Sequence, residues 1–148
     1  MKKITLFLLM TFSVAVAFAQ DLPAAQVPAP VTSALTKAYP NAEKTKWKLK
    51  DDVYHADFKI AKDKYDVWFD KTGKVTKRKY EISSKDLPAA IQATLTKEYS
   101  AYTVHDAEKT EAKGVSTYKV ELKKAGEERK ITFGEDGKVV EKKKDKED

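Results

Sequence analysis

Histidine and carboxylate pairs are the first residues to test for chemistry, and this chain has two histidines, His55 and His105. Imidazole is the side chain that most readily gains or loses a proton near neutral pH. Alternation along residues 53–60 places His55 and Asp57 on one strand face, two positions apart. That spacing could serve a weak metal contact or a base with an orienting carboxylate. His105 is followed directly by Asp106. Neither histidine stands in a motif with a serine, and the chain has no cysteine, which excludes a thiol nucleophile and a thiolate-bound zinc. No paired-histidine zinc helix, nucleophile elbow, phosphate loop or dinucleotide fingerprint is present. The acids are interleaved with lysines, so no isolated carboxylate pair stands out. The expectation is a non-enzyme without cofactor or metal, whose histidines sit on solvated faces.

Trp68 is the stronger candidate. In residues 64–69 the alternation turns Tyr65, Val67 and Phe69 inward and leaves Lys64, Asp66 and Trp68 outward. The outward face then gathers Trp68, His55, Asp57, Asp66, Lys46, Lys48 and Lys59, with Tyr80 expected to join it and Lys119 and Lys130 to extend it. A tryptophan inside a polar ring has the composition of a binding hot spot. Trp47, Tyr54, Phe58, Tyr65, Phe69, Tyr118 and Phe133 fall at inward positions and read as core.

The elements that position these residues come in two similar sets. Residues 27–39 and 87–99 share Pro28/Pro88, Ala29/Ala89, Leu35/Leu95, Thr36/Thr96, Lys37/Lys97 and Tyr39/Tyr99 at an offset of 60. Further on the offset is 64, as in Tyr54/Tyr118, Phe69/Phe133 and Gly73-Lys74-Val75 against Gly137-Lys138-Val139. The four extra residues are expected near Tyr102–Asp106. Val27, Val31, Leu35 and Ala38 recur at helical spacing, as do Leu87, Ile91 and Leu95. Asp86 is expected to cap the second helix, with Pro88 in its first turn. Asp21–Ala25 resembles Asp86–Ala90 and reads as a helix extension or a third partial copy. Alternating strands follow at 45–50, 53–60, 64–69 and 75–80, then at 104–111, 117–123, 129–133 and 138–142. Connections of a few residues make the strands antiparallel. The fold class is therefore α+β: a tandem repeat of a helix followed by a four-stranded antiparallel sheet, both helices on one sheet face. Residues 20–82 form the first unit and 83–143 the second.

The ends bound the compartment. Lys2 and Lys3 precede an apolar stretch from Ile4 to Phe18, and Ala17-Phe18-Ala19 fits a small-x-small cleavage rule. Residues 1–19 read as a signal peptide cleaved near Ala19-Gln20, too short to span a bilayer. The expected location is periplasmic or secreted, without a transmembrane anchor. The chain without Lys2 and Lys3 has 27 basic residues against 23 acids, a net charge of +4. Only Arg78 and Arg129 are arginines. A lysine-rich, arginine-poor surface with so many acids does not fit a nucleic-acid footprint. The run from Glu141 to Asp148 has no apolar residue, and the tail, residues 144–148 above all, is expected to be disordered.

The combination of signal, Val27-Pro28…Ala38-Tyr39-Pro40, Trp47, Tyr54…Phe58, Tyr65…Phe69-Asp70 and Gly73-Lys74-Val75, with the helix start renewed at Leu87-Pro88-Ala89-Ala90-Ile91, resembles the PepSY-like, beta-lactamase-inhibitor-like proteins. These are small exported proteins of Bacteroidetes-type bacteria. The resemblance implies tandem helix-plus-sheet units, a concave sheet face offered to a partner enzyme, and no catalytic residues. A protein partner in the cell envelope, such as an exported hydrolase, bound around Trp68 is the leading expectation. The alternative is an anionic envelope polymer, a glycan or lipopolysaccharide, held by the stripe Lys46, Lys48 and Lys50.

Overall fold

The structure is a computed structural model that describes residues 20–144. The signal-peptide reading of residues 1–19 and the last four residues of the tail lie outside the described residues. The strands are β1 (Gln20–Leu22), β2 (Glu43–Lys50), β3 (Val53–Ile60), β4 (Asp63–Phe69), β5 (Val75–Glu81), β6 (Thr103–Ala112), β7 (Val115–Lys124), β8 (Glu127–Gly134) and β9 (Val139–Lys144). They form one sheet in sequence order, every neighbour antiparallel. Two helices, α1 (Ala29–Ala38) and α2 (Ala89–Glu98), precede β2 and β6. β5 pairs with β6 from Lys77↔Ala112 to Glu81↔Glu108, so the two halves share a single sheet.

Proline starts both helices and also ends the first. Pro28 and Pro88 are the N-caps, where a missing N–H costs nothing, and Pro40 follows the C-cap Tyr39. Asp86 is not the cap that was expected. It ends a 3₁₀ turn, Ser84–Asp86, whose own cap is Ser83, its hydroxyl accepting from the Lys85 N–H. Asp21–Ala25 extends no helix. It supplies β1 and the start of a 3₁₀ turn, Ala24–Gln26. Val31 and Leu35 of α1 pack on Trp47, Ala56, Phe58, Val67 and Phe69. Leu87 and Ile91 at α2 pack on Ala107, Tyr118, Val120, Leu122, Ile131 and Phe133. Phe58, Phe69 and Phe133 are wholly buried, and each buried aromatic of that size is worth several kcal/mol, roughly 3–5, against truncation.

Both clusters lie on the same sheet face. Between them the floor is β5 and the part of β6 beyond Ala107, where no inward side chain is fully buried. Its side chains are accordingly polar or amphipathic: Arg78 pairs with Glu111, Lys109 reaches Glu111 at 2.8 Å, and Tyr80 stacks on Tyr65 with centroids 5.6 Å apart. Tyr80 was expected on the open face, and the structure places it here instead. A bulge is the cause. Trp68 pairs with Lys77, but Phe69 pairs with Val75, so β5 holds one extra residue at this point. One inserted residue reverses the parity of everything beyond it. Lys77 and Lys79 face out, Arg78 and Tyr80 face in.

Two other expectations are corrected. The four extra residues of the second half are not near Tyr102–Asp106. Trp47 pairs with Ala56 and its counterpart Ala107 with Val120, which carries the offset from 60 to 64 across the β6–β7 hairpin. Both strands of that hairpin are two residues longer than β2 and β3. The charged run beginning at Glu141 does not fray from its start, because residues up to Lys144 pair with β8. Pairing needs backbone, not apolar side chains, and lysines along an outer strand discourage further pairing.

The turn between β4 and β5 fixes the sheet to α1. Gly73 has φ +87°, and a Cβ there would stand 2.5 Å from the Pro30 carbonyl oxygen. Gly137 stands in the same relation to Ala90, at 2.6 Å. Gly73→Val should therefore cost clearly more stability than Gly126→Ala, at a turn of similar φ with open space around it. Backbone strain alone is about 1–2 kcal/mol; the steric term adds to it only at position 73. Urea unfolding of both variants measures this, and equal losses would contradict the contact.

Candidate functional site

The open face is built by period two. Lys48, His55, Trp68 and Lys77 stand in one cross-strand row, and Lys46, Asp57, Asp66 and Lys79 in the next. Trp68 is half-buried by its two neighbours. The His55 ring lies parallel to it at 4.4 Å between centroids and 10° between planes. On β5 the Lys77 ammonium sits 4.5 Å from the indole centroid. Cation–π and offset-stacked contacts of this kind are each worth about 0.5–1.5 kcal/mol, so the row holds Trp68 in place before anything binds. A hollow of about 280 Å³ adjoins it, lined by Lys48, Lys50, Asp51, Val53, His55 and Trp68.

His55 is oriented by Asp66, not by Asp57. Its Nε2 lies 2.7 Å from Asp66 Oδ1. Asp66 lies on the adjacent strand, diagonal to His55, which pairs across the ladder with Trp68 while Asp66 pairs with Asp57. The hydrogen bond to His55 holds the Asp66 carboxyl below its usual range, aided by Lys79 and opposed by burial. Lys79 bridges Asp66 at 3.1 Å and Glu108 at 3.2 Å, and Lys119 reaches Glu108 at 2.8 Å. Burial pushes Glu108 up, and Lys119 and Lys79 outweigh it and keep the carboxylate low. The charges thus alternate across β3 to β7, over the join between the halves.

Of the residues singled out from sequence, Trp68, His55, Asp66, Lys46, Lys48 and Asp57 share this patch. Lys59 is on the same face but four residues from His55, about 13 Å along the strand, next to Lys64. Tyr80 is on the helix side. Sequence reasoning missed Lys77 and Lys79, which only the bulge brings to the face, and Glu108 beyond the join. His105 lies 3.9 Å from Glu121, away from His55. Among the described residues no cluster of three or more metal-ligating side chains exists, and no helix is long and apolar enough to cross a membrane.

A family model described as "Putative beta-lactamase-inhibitor-like, PepSY-like" matches residues 16–61 and 52–141. The chain is similar to the crystal structure of a DUF2874 family protein from Bacteroides uniformis, with 26% identity and a TM-score of 0.64 over 79% of this chain and 88% of that one. It is similar to a BLIP-like protein from Bacteroides fragilis, with 27% identity and a TM-score of 0.61 over 83% and 87%. The fold is also that of a Bacteroides eggerthii structure described under "putative periplasmic proteins", with 22% identity and a TM-score of 0.66 over 80% and 88%. No curated protein matches the chain.

The two tryptophans should separate on truncation. Trp47, 6% exposed, packs against Phe69, so Trp47→Ala should cost about 3–5 kcal/mol. Trp68→Ala should cost about 1 kcal/mol. Thermal or urea unfolding decides, and similar losses would place Trp68 in the core. Asp66 adds a pH signature. Its folded pKa is lowered from the ordinary 3.8, so its contribution is present above about pH 4 and disappears as pH falls through the lowered value. Asp66→Asn should flatten that part of the stability curve; an unchanged acid limb would refute the pairing.

Proposed function

The chain belongs to the beta-lactamase-inhibitor-like, PepSY-like family, and from that premise we propose that it is a non-enzymatic, exported binding protein whose open sheet face holds a protein partner around Trp68. Residues 20–82 and 83–143 are read as two copies of one helix-plus-sheet unit that together carry this face, after removal of residues 1–19. The observation that carries the reading is the row His55–Trp68–Lys77. An aromatic side chain already fixed by both neighbours loses little conformational freedom on binding, and it stands beside a hollow. The core explains the aromatics on the helix side; it leaves Trp68 without a structural duty, since Thr132 stands at the corresponding place in the second half. The similarity to a BLIP-like protein supports an inhibitor-like or regulatory role toward an exported hydrolase.

A second reading, an anionic glycan or lipopolysaccharide on Lys46, Lys48 and Lys50, is favoured by one observation. These lysines have no ion-pair partner among the described residues.

Affinity capture from a periplasmic extract tests the main reading. The processed protein should retain a partner that its Trp68→Ala variant loses, and the partner should survive a wash in 0.5 M salt. Retention by both would move the binding face elsewhere, and complete release by salt would favour the charged polymer.

A further inference from the structure

We propose that the first half of the open face takes an acidic protein segment, a flexible run of Asp and Glu side chains whose carboxylates meet the rim of Trp68; this rests on the protein-binding reading above. The charge of the face is uneven. On β2 to β4, Lys46, Lys48, Lys59 and Lys64 point outward with no ion-pair partner among the described residues. The acids on the open face of that half are Asp21, opposite Lys48, Glu43, opposite Lys59, Asp57, opposite Lys46, Asp66, already engaged by His55 and Lys79, and Glu81 at the join; among the described residues Asp21, Glu43 and Asp57 form no ion pair with the lysines they face. In the second half the charges answer one another: Glu108 to Lys79 and Lys119, Glu121 to Lys123 and Lys130, Glu128 to Lys123 and Lys130. A partner with negative charge therefore gains on β2 to β5 and gains little on β6 to β9.

The orientation of Trp68 selects among anionic partners. Both ring faces are covered, one by His55 and the other by Lys77, so no ring face remains on which a sugar could stack. What remains is the rim. An aromatic ring carries its positive potential at the edge, and the indole N–H makes no hydrogen bond among the described residues and can only donate. A positive rim with a free donor, set among unpaired ammonium groups, suits carboxylates on mobile side chains. Asp51, at the lip of the hollow, is the one acid lining it and keeps the entering carboxylates toward Lys48 and His55.

Nitrogen–proton NMR titration of the processed chain tests this, with hexaglutamate as the acidic-peptide probe and trigalacturonate as the anionic-sugar probe. Hexaglutamate should shift the Trp68 indole N–H together with the amides of Lys46, Lys48 and Lys77. The Lys46→Gln/Lys48→Gln double variant, shown to be folded by its own spectrum, should bind roughly tenfold more weakly, and trigalacturonate should bind more weakly than hexaglutamate. Trigalacturonate binding as well or better would overturn the proposal in favour of a glycan. Shifts confined to the second half or the tail, or no shift, would overturn it too. If the indole is unmoved while a partner is still captured through Trp68, the protein-binding reading stands and the acidic partner alone is wrong.

Discussion

Which side chains meet solvent beside Trp68 is decided by the alternation of side chains along paired strands and by the single extra residue that the ladder takes in after Trp68. With Trp68 opposite Lys77 and Phe69 opposite Val75, the lysines of β5 turn to the open face and Arg78 and Tyr80 turn to the helix side of the sheet. Without that residue β5 would present Arg78 and Tyr80 outward, Lys77 could not cover the indole, and Lys79 could not bridge Asp66 to Glu108. The same device recurs between Thr132 and Phe133, so both halves are closed in one manner. Bulges that re-aim side chains next to functional surfaces are a recurrent use of this irregularity.

The second dependence is the β5–β6 ladder. It places both apolar clusters on one side of a common sheet and leaves the other side as one continuous surface. On the helix side the join is filled by Arg78, Glu111, Lys109 and tyrosines, groups that tolerate half exposure. On the open side it is crossed by Lys79. The halves then diverge in their outward residues while keeping the same inward ones. Phe69 and Phe133 correspond and are both buried; Trp68 and Thr132 correspond and share nothing. Packing demands the former pair, and only a partner would demand the difference in the latter.

Much of this was legible in the order of residues. Strict apolar alternation in β3 and β4, the glycine after Asp70, and valine, leucine and isoleucine at helical spacing each answer to a local physical need, and each led to the right element. Family membership was legible from the same residues. What was hidden depends on register. Nothing in Val75–Glu81 announces a bulge, so the parity of Tyr80 was misjudged. The partner of His55 is on another strand, and a sequence spacing could only offer Asp57. β1 is three residues long and has no period to read, and the hairpin extension in β6 and β7 preserves alternation, which conceals where the extra residues went. The strand at Glu141–Lys144 is held by its backbone, which composition does not report.

The arrangement around Trp68 is the point on which the account turns, and the proton–proton contacts of its indole ring in solution test it most directly. The account predicts nuclear Overhauser contacts from the indole to the His55 ring on one side and to the Lys77 methylenes on the other, with none to Tyr80. Contacts to Arg78 or Tyr80 in place of Lys77 would mean that the extra residue is absent and the face is composed differently. An indole free of both neighbours would mean that no preformed anchor exists on the open face.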